Sequence, residues 1–277
     1  MQKIPPLEWL LADSRFEQAL ARLRFFLEQG RLALITGQTG VGKSSLLRMV
    51  RQAMPHNRYM SLNLHLTSVS PGAFLRLIVS ELGEAPRFGK DRLFLQIVER
   101  IRKQDTETVI IIDEAHLMAV QTLVDLRLLI SAGDDADLPL KIIFSGQESL
   151  TALLKRASLA DPVNRINVRY HIKSLTRDQT VAYIDHRLKC AGATGKLMTA
   201  EAKSLIHDYA GGVPRSINNI ATDCLIHAVS KNVFAIDAII VNETMAEFQI
   251  MWDLAGRARL GKAGHCLCDP CDDPRSI

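Results

Sequence analysis

One eight-residue stretch constrains this 277-residue chain more than any other: Gly37, Gln38, Thr39, Gly40, Val41, Gly42, Lys43 and Ser44 fit the phosphate-binding loop pattern G-x-x-x-x-G-K-[ST] at every fixed position. The apolar run Leu32 to Thr36 before it has the pattern of a buried strand, and Ser45 to Arg51 after it has helical spacing. A strand, a glycine loop and a helix in that order place backbone N–H groups around a polyphosphate. Gly37, Gly40 and Gly42 allow the curl and the close approach that a Cβ would obstruct. The first turn of the helix adds unpaired donors and the positive end of its dipole. Lys43 is then expected to reach the β- and γ-phosphates of ATP, the Ser44 hydroxyl to ligate Mg²⁺, and Ser45 to close the nucleotide-binding set.

Hydrolysis needs an acid near the metal and a base near the attacking water. Val109 to Ile112 is a β-branched run that reads as a strand buried on both faces, and it ends in Asp113 and Glu114. Asp113 is expected to hold the Mg²⁺ hydration shell. Glu114 is expected to polarise the water that attacks the γ-phosphate.

Composition sets outer limits. At 47% hydrophobic residues the chain can build one large or two modest cores. It contains no run of 18 or more apolar residues, and Met1 to Pro6 has no apolar signal core, so a cytoplasmic protein is the expectation. Cys190 and Cys224 stand singly in helical patterns and read as buried small hydrophobes. A net charge of +4 permits contact with nucleic acid without requiring it.

Along the chain, Ser14 to Glu17 has the form of a capping box opening a helix through Ala19, Leu23, Phe26 and Leu27. Residues 58–64 alternate as a second strand. Ser70-Pro71-Gly72 starts a helix carrying Phe74, Leu75, Ile78 and Leu82, and Leu93 to Ile101 forms another. Between these two helices, residues 86–92 form a basic loop with an aromatic, and Arg87, Lys90 and Arg92 are its candidate DNA contacts. A helix over 122–130, a loop over 133–139 and a strand over 141–145 follow, the strand leading into Gly146 and Gln147. Strands alternating with helices predict an α/β fold with a doubly wound parallel sheet. From about Leu175 only helical patterns remain, over 176–188, 199–209 and 216–229, which predicts a small all-helical lid domain. The resulting division is 1–30 for an N-terminal segment and helix, 31–174 for the nucleotide-binding domain, 175–248 for the lid and 249–277 for a disordered tail.

Gly37 to Ser44, Val109 to Glu114, Gly146-Gln147 and Gly211 to Arg215, in this order, resemble the AAA+ ATPases. Asp113 to His116, Phe144 to Leu150, Arg165 to His171 and Gly211 to Asn219 are similar to one branch, which includes ExeA-type general-secretion ATPases and TniB/TnsC-type transposition helpers. The resemblance spans about residues 10 to 248. It implies that Gln147, or Ser145 beside it, is the polar sensor and that Arg215 is a lid arginine touching phosphate. It also implies that Arg165 is an arginine finger aimed at a neighbouring subunit's nucleotide, with Arg169 and Arg156 as competitors. Such a finger requires a homo-oligomer, a ring or a filament. A DEAH-box helicase is excluded, because it needs two ATPase cores and this chain has one glycine loop. A phosphotransferase leaves the arginines and the lid unexplained.

The resemblance implies a Mg²⁺-dependent ATPase that binds double-stranded DNA in its ATP state and recruits or regulates a transposase. The alternative is an ExeA-like ATPase acting on envelope assembly. ExeA-type proteins usually continue into a membrane span and a peptidoglycan-binding region, and since neither is seen here the soluble helper is the first expectation. The tail carries His265, Cys266, Cys268 and Cys271, which offer soft zinc ligands, although the one-residue spacing of the first two cysteines disfavours a zinc site.

Overall fold

The structure is a computed structural model and describes residues 11, 13–65, 69–136, 138–155 and 166–247. Helix α1 (Ser14–Gln29) leads into β1 (Leu32–Gly37), α2 (Lys43–Ala53) and β2 (Tyr59–His65). Helices α3 (Pro71–Glu81) and α4 (Lys90–Arg102) precede β3 (Glu107–Asp113), followed by a 3-10 turn at Ala115–Leu117, α5 (Val120–Ala136), β4 (Leu140–Gly146), α6 (Ser149–Leu154) and β5 (Val168–Ile172). Three longer helices come next, α7 (Arg177–Cys190), α8 (Ala200–Ala210) and α9 (Pro214–Ser230), and residues 238–247 are again helical.

The strands form one sheet in the order β2-β3-β4-β1-β5, and every pairing is parallel. Both faces are covered, so alternate residues of β3 serve two different cores. Ile110 and Ile112 pack with Phe74, Ile78, Leu93 and Ile97 from α3 and α4. Val109 and Ile111 pack with Leu23, Phe26, Leu46 and Val50 from α1 and α2. This is why β3 is apolar at consecutive positions rather than at every second one. Each fully buried side chain of this size contributes about 1.5–3 kcal/mol. A separate core of Leu175, Ile184, Ile206, Ile217, Cys224 and Val241 holds the C-terminal helices together. The α/β class with a helical lid is therefore the observed architecture.

Several boundaries differ from expectation for local reasons. The cap of α1 is Asp13, whose carboxylate accepts from the N–H groups of Arg15 and Phe16, so Ser14 is already helical. Helix α5 runs on to Ala136 across the stretch 133–135 that reads as a loop. Helix α4 begins at Lys90, immediately after Gly89 at φ 96°, so Lys90 and Arg92 belong to a helix. The short strand β5 was not anticipated. Its buried residues alternate, and it pairs with β1 along the glycine-loop strand itself. Cys224 is buried as expected, whereas Cys190 is half-exposed at the end of α7. No helix among the described residues is long and apolar enough to cross a membrane.

Candidate nucleotide site

The carboxyl ends of β1 and β3 converge on a cavity of about 540 Å³ that is closed on its far side by the lid. Its loop wall is made by Thr39, Gly40, Gly42, Lys43, Ser44 and Ser45. Gly40 at φ 87° and Gly42 at φ 110° occupy backbone conformations that a side chain would strain. A Cβ on Gly42 would lie 2.8 Å from the Phe16 ring of α1, and one on Gly40 would lie 2.9 Å from Arg215 Cβ. The loop is thus clamped between the first helix and the lid. Helix α2 starts at Gly42 without a side-chain cap, which leaves its first N–H groups to an anion.

Lys43 is 4% exposed and donates to the carbonyls of Gly37 at 2.9 Å and Gln38 at 3.1 Å, holding the ammonium over the loop. Burial pushes its pKa below the usual lysine value, with Arg215 acting in the same direction, while Glu114 and Asp113 oppose the shift.

Asp113 organises the acidic side. It is 2% exposed, and both of its oxygens are hydrogen-bonded: Oδ2 accepts from Ser44 Oγ at 2.6 Å, and Oδ1 accepts from Ser145 Oγ at 2.9 Å and from the Glu114 N–H at 3.0 Å. A hydroxyl and a carboxylate oxygen side by side next to a phosphate loop are the hard donors that Mg²⁺ takes alongside phosphates and water, so Ser44 and Asp113 fit that ion. Ser145, the expected alternative to Gln147, is thereby committed to Asp113.

Glu114 sits at φ 53° and ψ 33°, a left-handed conformation that costs a non-glycine residue about 1–3 kcal/mol. This turn leaves its carboxylate at the cavity mouth, 42% exposed and 3.6 Å from Nδ1 of His116. The same Nδ1 accepts from the Gln147 N–H at 3.4 Å, so His116 lies between the acid and the polar residue just past the end of β4. A Cβ on Gly146 would lie 3.2 Å from the His116 backbone nitrogen, which explains the glycine there. Nothing local in the sequence assigns His116 to this position.

The lid contributes Tyr183, Arg187, Pro214, Arg215 and Asn218 to the cavity. The N–H of Arg215 donates to the carbonyl of Gly40 at 3.3 Å, and Tyr183 bonds Asn218, joining α7 to α9 beside the cleft. His65, at the end of β2 and paired with Asp113 in register, forms part of the floor. Tyr183, Arg187, Asn218 and His65 were not anticipated, because only the packing of the lid and of β2 brings them here.

The remaining expectations fall elsewhere. Lys90 donates to the buried Asp125 at 2.7 Å, and its side chain is 47% exposed. Arg87 lies in the loop before α4 beside Phe88, which is 90% exposed, and Arg92 is on the exposed face of α4. Arg169 lies on the exposed edge of β5, away from this chain's own cavity. Arg165, Arg156 and the His/Cys cluster at 265–271 lie outside the described residues. Among the described residues no group of three or more His, Cys, Asp and Glu could hold a metal ion on its own.

A parallel sheet of this order, a glycine loop at the end of β1, an acidic end to β3 and a helical lid define a P-loop NTPase fold. Within it, residues 27–154 match the family model described as an AAA domain. Over 235 residues the chain is 29% identical to general secretion pathway protein A of Aeromonas hydrophila, a match that covers 82% of this chain and 42% of that protein. Among solved structures it is similar to Cdc6p of Pyrobaculum aerophilum, with TM-score 0.70, 18% identity, and coverage of 88% of this chain and 71% of that one. It is also similar to the ORC2 protein of Aeropyrum pernix in its ADP form, with TM-score 0.65, 14% identity and coverage of 89% and 71%. The RuvB Holliday junction branch migration motor of Thermotoga maritima gives TM-score 0.57 at 16% identity, covering 85% of this chain and 69% of that one. These structural likenesses concern the fold.

Proposed function

We propose that this chain binds ATP with Mg²⁺ and hydrolyses it to ADP and phosphate, and that the nucleotide state sets the angle between lid and core. The observation that carries this reading is the Ser44–Asp113–Ser145 chain of hydrogen bonds lying beside Lys43, with the left-handed Glu114 at the mouth of the same cavity. Lys43 and the first N–H groups of α2 bind the phosphates. Ser44 and Asp113 hold Mg²⁺, which when bound supplies neutralisation of charge on the phosphate oxygens. Glu114 takes the proton of a water whose oxygen attacks the γ-phosphorus as the bond to the bridging oxygen of ADP breaks. Gln147, next to His116, orients that water, and Arg215 links the phosphates to the lid. Glu114→Gln should lower ATP turnover by about 10²–10³ while leaving nucleotide affinity within a few-fold. Unchanged turnover in this variant removes Glu114 from the role of base, and no nucleotide binding by the native chain removes the whole reading.

The same reading includes a homo-oligomer in which a neighbouring copy supplies an arginine, with Arg165 first and Arg169 and Arg156 as alternatives. Mixing Arg165→Glu with Lys43→Ala subunits should restore turnover that neither has alone. An inactive mixture places the finger elsewhere.

Two partner readings remain distinct. The 29% identity to general secretion pathway protein A favours an ATPase of secretion assembly at the envelope. That relative is far longer than this chain, so the lack of a membrane-spanning helix among the described residues does not weigh against it. The second reading, a cytoplasmic DNA-binding helper that recruits a transposase, draws on the exposed Phe88 next to Arg87 with Arg92 following. Stacking and phosphate contact are what such a loop offers. Binding to long duplex DNA that requires ATP, falls steeply with salt and is lost in Phe88→Ala supports this second reading. No binding at low salt with ATP eliminates it.

A further inference from the structure

Behind the nucleotide cavity, on the other side of Ser44 and Asp113, lies a second cavity of about 270 Å³. One wall is the face of α2 that carries Ser44, Arg48 and Arg51, spaced four and three residues apart so that they form a stripe down the helix. The other wall is β2. Its Leu62 and Leu64 enter the core under α3, so Asn63 and His65 turn to the opposite face and into this cavity, with Asn63 Nδ2 and His65 Nε2 3.0 Å apart. Polar residues of both elements line the space between α2 and β2.

The arginines give the cavity its sign. A guanidinium stays charged at any accessible pH and presents its donors in a planar fork suited to an oxyanion. The Nε of Arg51 is buried and has no hydrogen-bond partner among the described residues. Leaving such a donor unmet costs about 1–3 kcal/mol. Asp113, the acid that shares this cavity, is bonded instead to Ser44, Ser145 and the Glu114 N–H.

We propose that this cavity is an oxyanion subsite, held by Arg48 and Arg51 with Asn63 and His65 as further hydrogen-bonding groups, and that its ligand is orthophosphate leaving the nucleotide cavity past Ser44. The identification of the anion as a reaction product rests on the proposed hydrolysis. The existence of the subsite does not. In this geometry phosphate departs on the side away from the lid, so ADP can stay under Arg215 after phosphate has gone.

The test is titration of the full-length protein with inorganic phosphate, by calorimetry, with the nucleotide cavity filled by saturating ADP. The native chain should bind one phosphate, and Arg51→Met, which keeps the stem but removes the donors, should weaken it by about tenfold or more with ADP affinity unchanged. Arg48→Met serves the same purpose if the first variant does not fold. Lys43→Ala, titrated without nucleotide, should lose ADP binding yet retain phosphate binding. Crystals soaked in tungstate should show the anion between Arg48 and Arg51. Phosphate affinity that is unchanged in both arginine variants, absent from the native chain or lost in Lys43→Ala overturns the proposal, as does tungstate only at the glycine loop. Failure of the native chain to bind ADP sinks the proposed ATPase instead, and the phosphate titration still reads the subsite.

Discussion

The sheet and the lid are stabilised in different ways, and the site lies where they meet. The sheet has two apolar cores, and its polar residues at the cavity end are bonded to one another: Asp113 accepts from Ser44, Ser145 and the Glu114 N–H. The lid has one smaller core, flanked by ion pairs: the exposed Arg177 with Asp208, and the buried Lys203 with Asp185. Its contacts with the sheet near the cavity are few and specific, chiefly Arg215 on Gly40 and Tyr183 and Arg187 facing the loop.

The comparison can be broken at the lid first. Gly212 has φ 70°, and a Cβ there would stand 2.1 Å from the backbone oxygen of Leu175, which cannot move without pulling the linker out of place. Gly212→Ala should cost about 3 kcal/mol or more, seen as early loss of amide protection in α7 to α9 while the sheet amides stay protected. Uniform loss of protection would show that the two parts unfold as one. Next, Gly40→Ala strains the loop at φ 87° and pushes on Arg215 and Val213, so nucleotide affinity should fall about tenfold and the denaturation midpoint should drop with a loss of about 1 kcal/mol or more.

Within the sheet, Ser145→Ala removes one of the three bonds to a buried carboxylate. Unfolding in urea should report a loss of about 1–2 kcal/mol, and the spread of that loss to nucleotide affinity should be only a few-fold. The smallest effect is on pH dependence. Because burial lowers the pKa of Lys43 in the folded chain, the unfolded chain holds more protons between that pKa and 10.5, so this group's contribution to stability rises with pH over that window. Nucleotide affinity should fall over the same window as the ammonium is lost. Subtracting the profile of Lys43→Met from that of the native chain isolates both trends, and parallel profiles would remove the shift.

Legibility in the sequence followed the same division. The loop, the Asp-Glu end of β3 and the change to helices after Leu175 were readable because each is a local pattern: glycines where φ is positive, a continuous apolar run, a change of period. β5 was not, because five alternating residues give a weak signal and its partner β1 is far away in the chain. The role of His116 depends on Gly146 coming within reach across two strands. Lys90 looked like a free basic group because Asp125, thirty-five residues on, meets it only after α4 and α5 pack. Tyr183, Arg187, Asn218 and His65 share one property: each is positioned by tertiary contacts rather than by its neighbours in sequence.

The placement of β5 has a mechanical meaning. It pairs with the strand that carries the glycine loop, and the chain leaving it at Lys173 becomes the lid, whose α9 then returns to touch that loop at Gly40. The segment from Ile172 to Arg215 is therefore a strap fastened at both ends beside the same glycine loop. Any tilt of the lid has to be taken up at 173–175 and at the paired glycines 211 and 212, so those few residues act as its bearing.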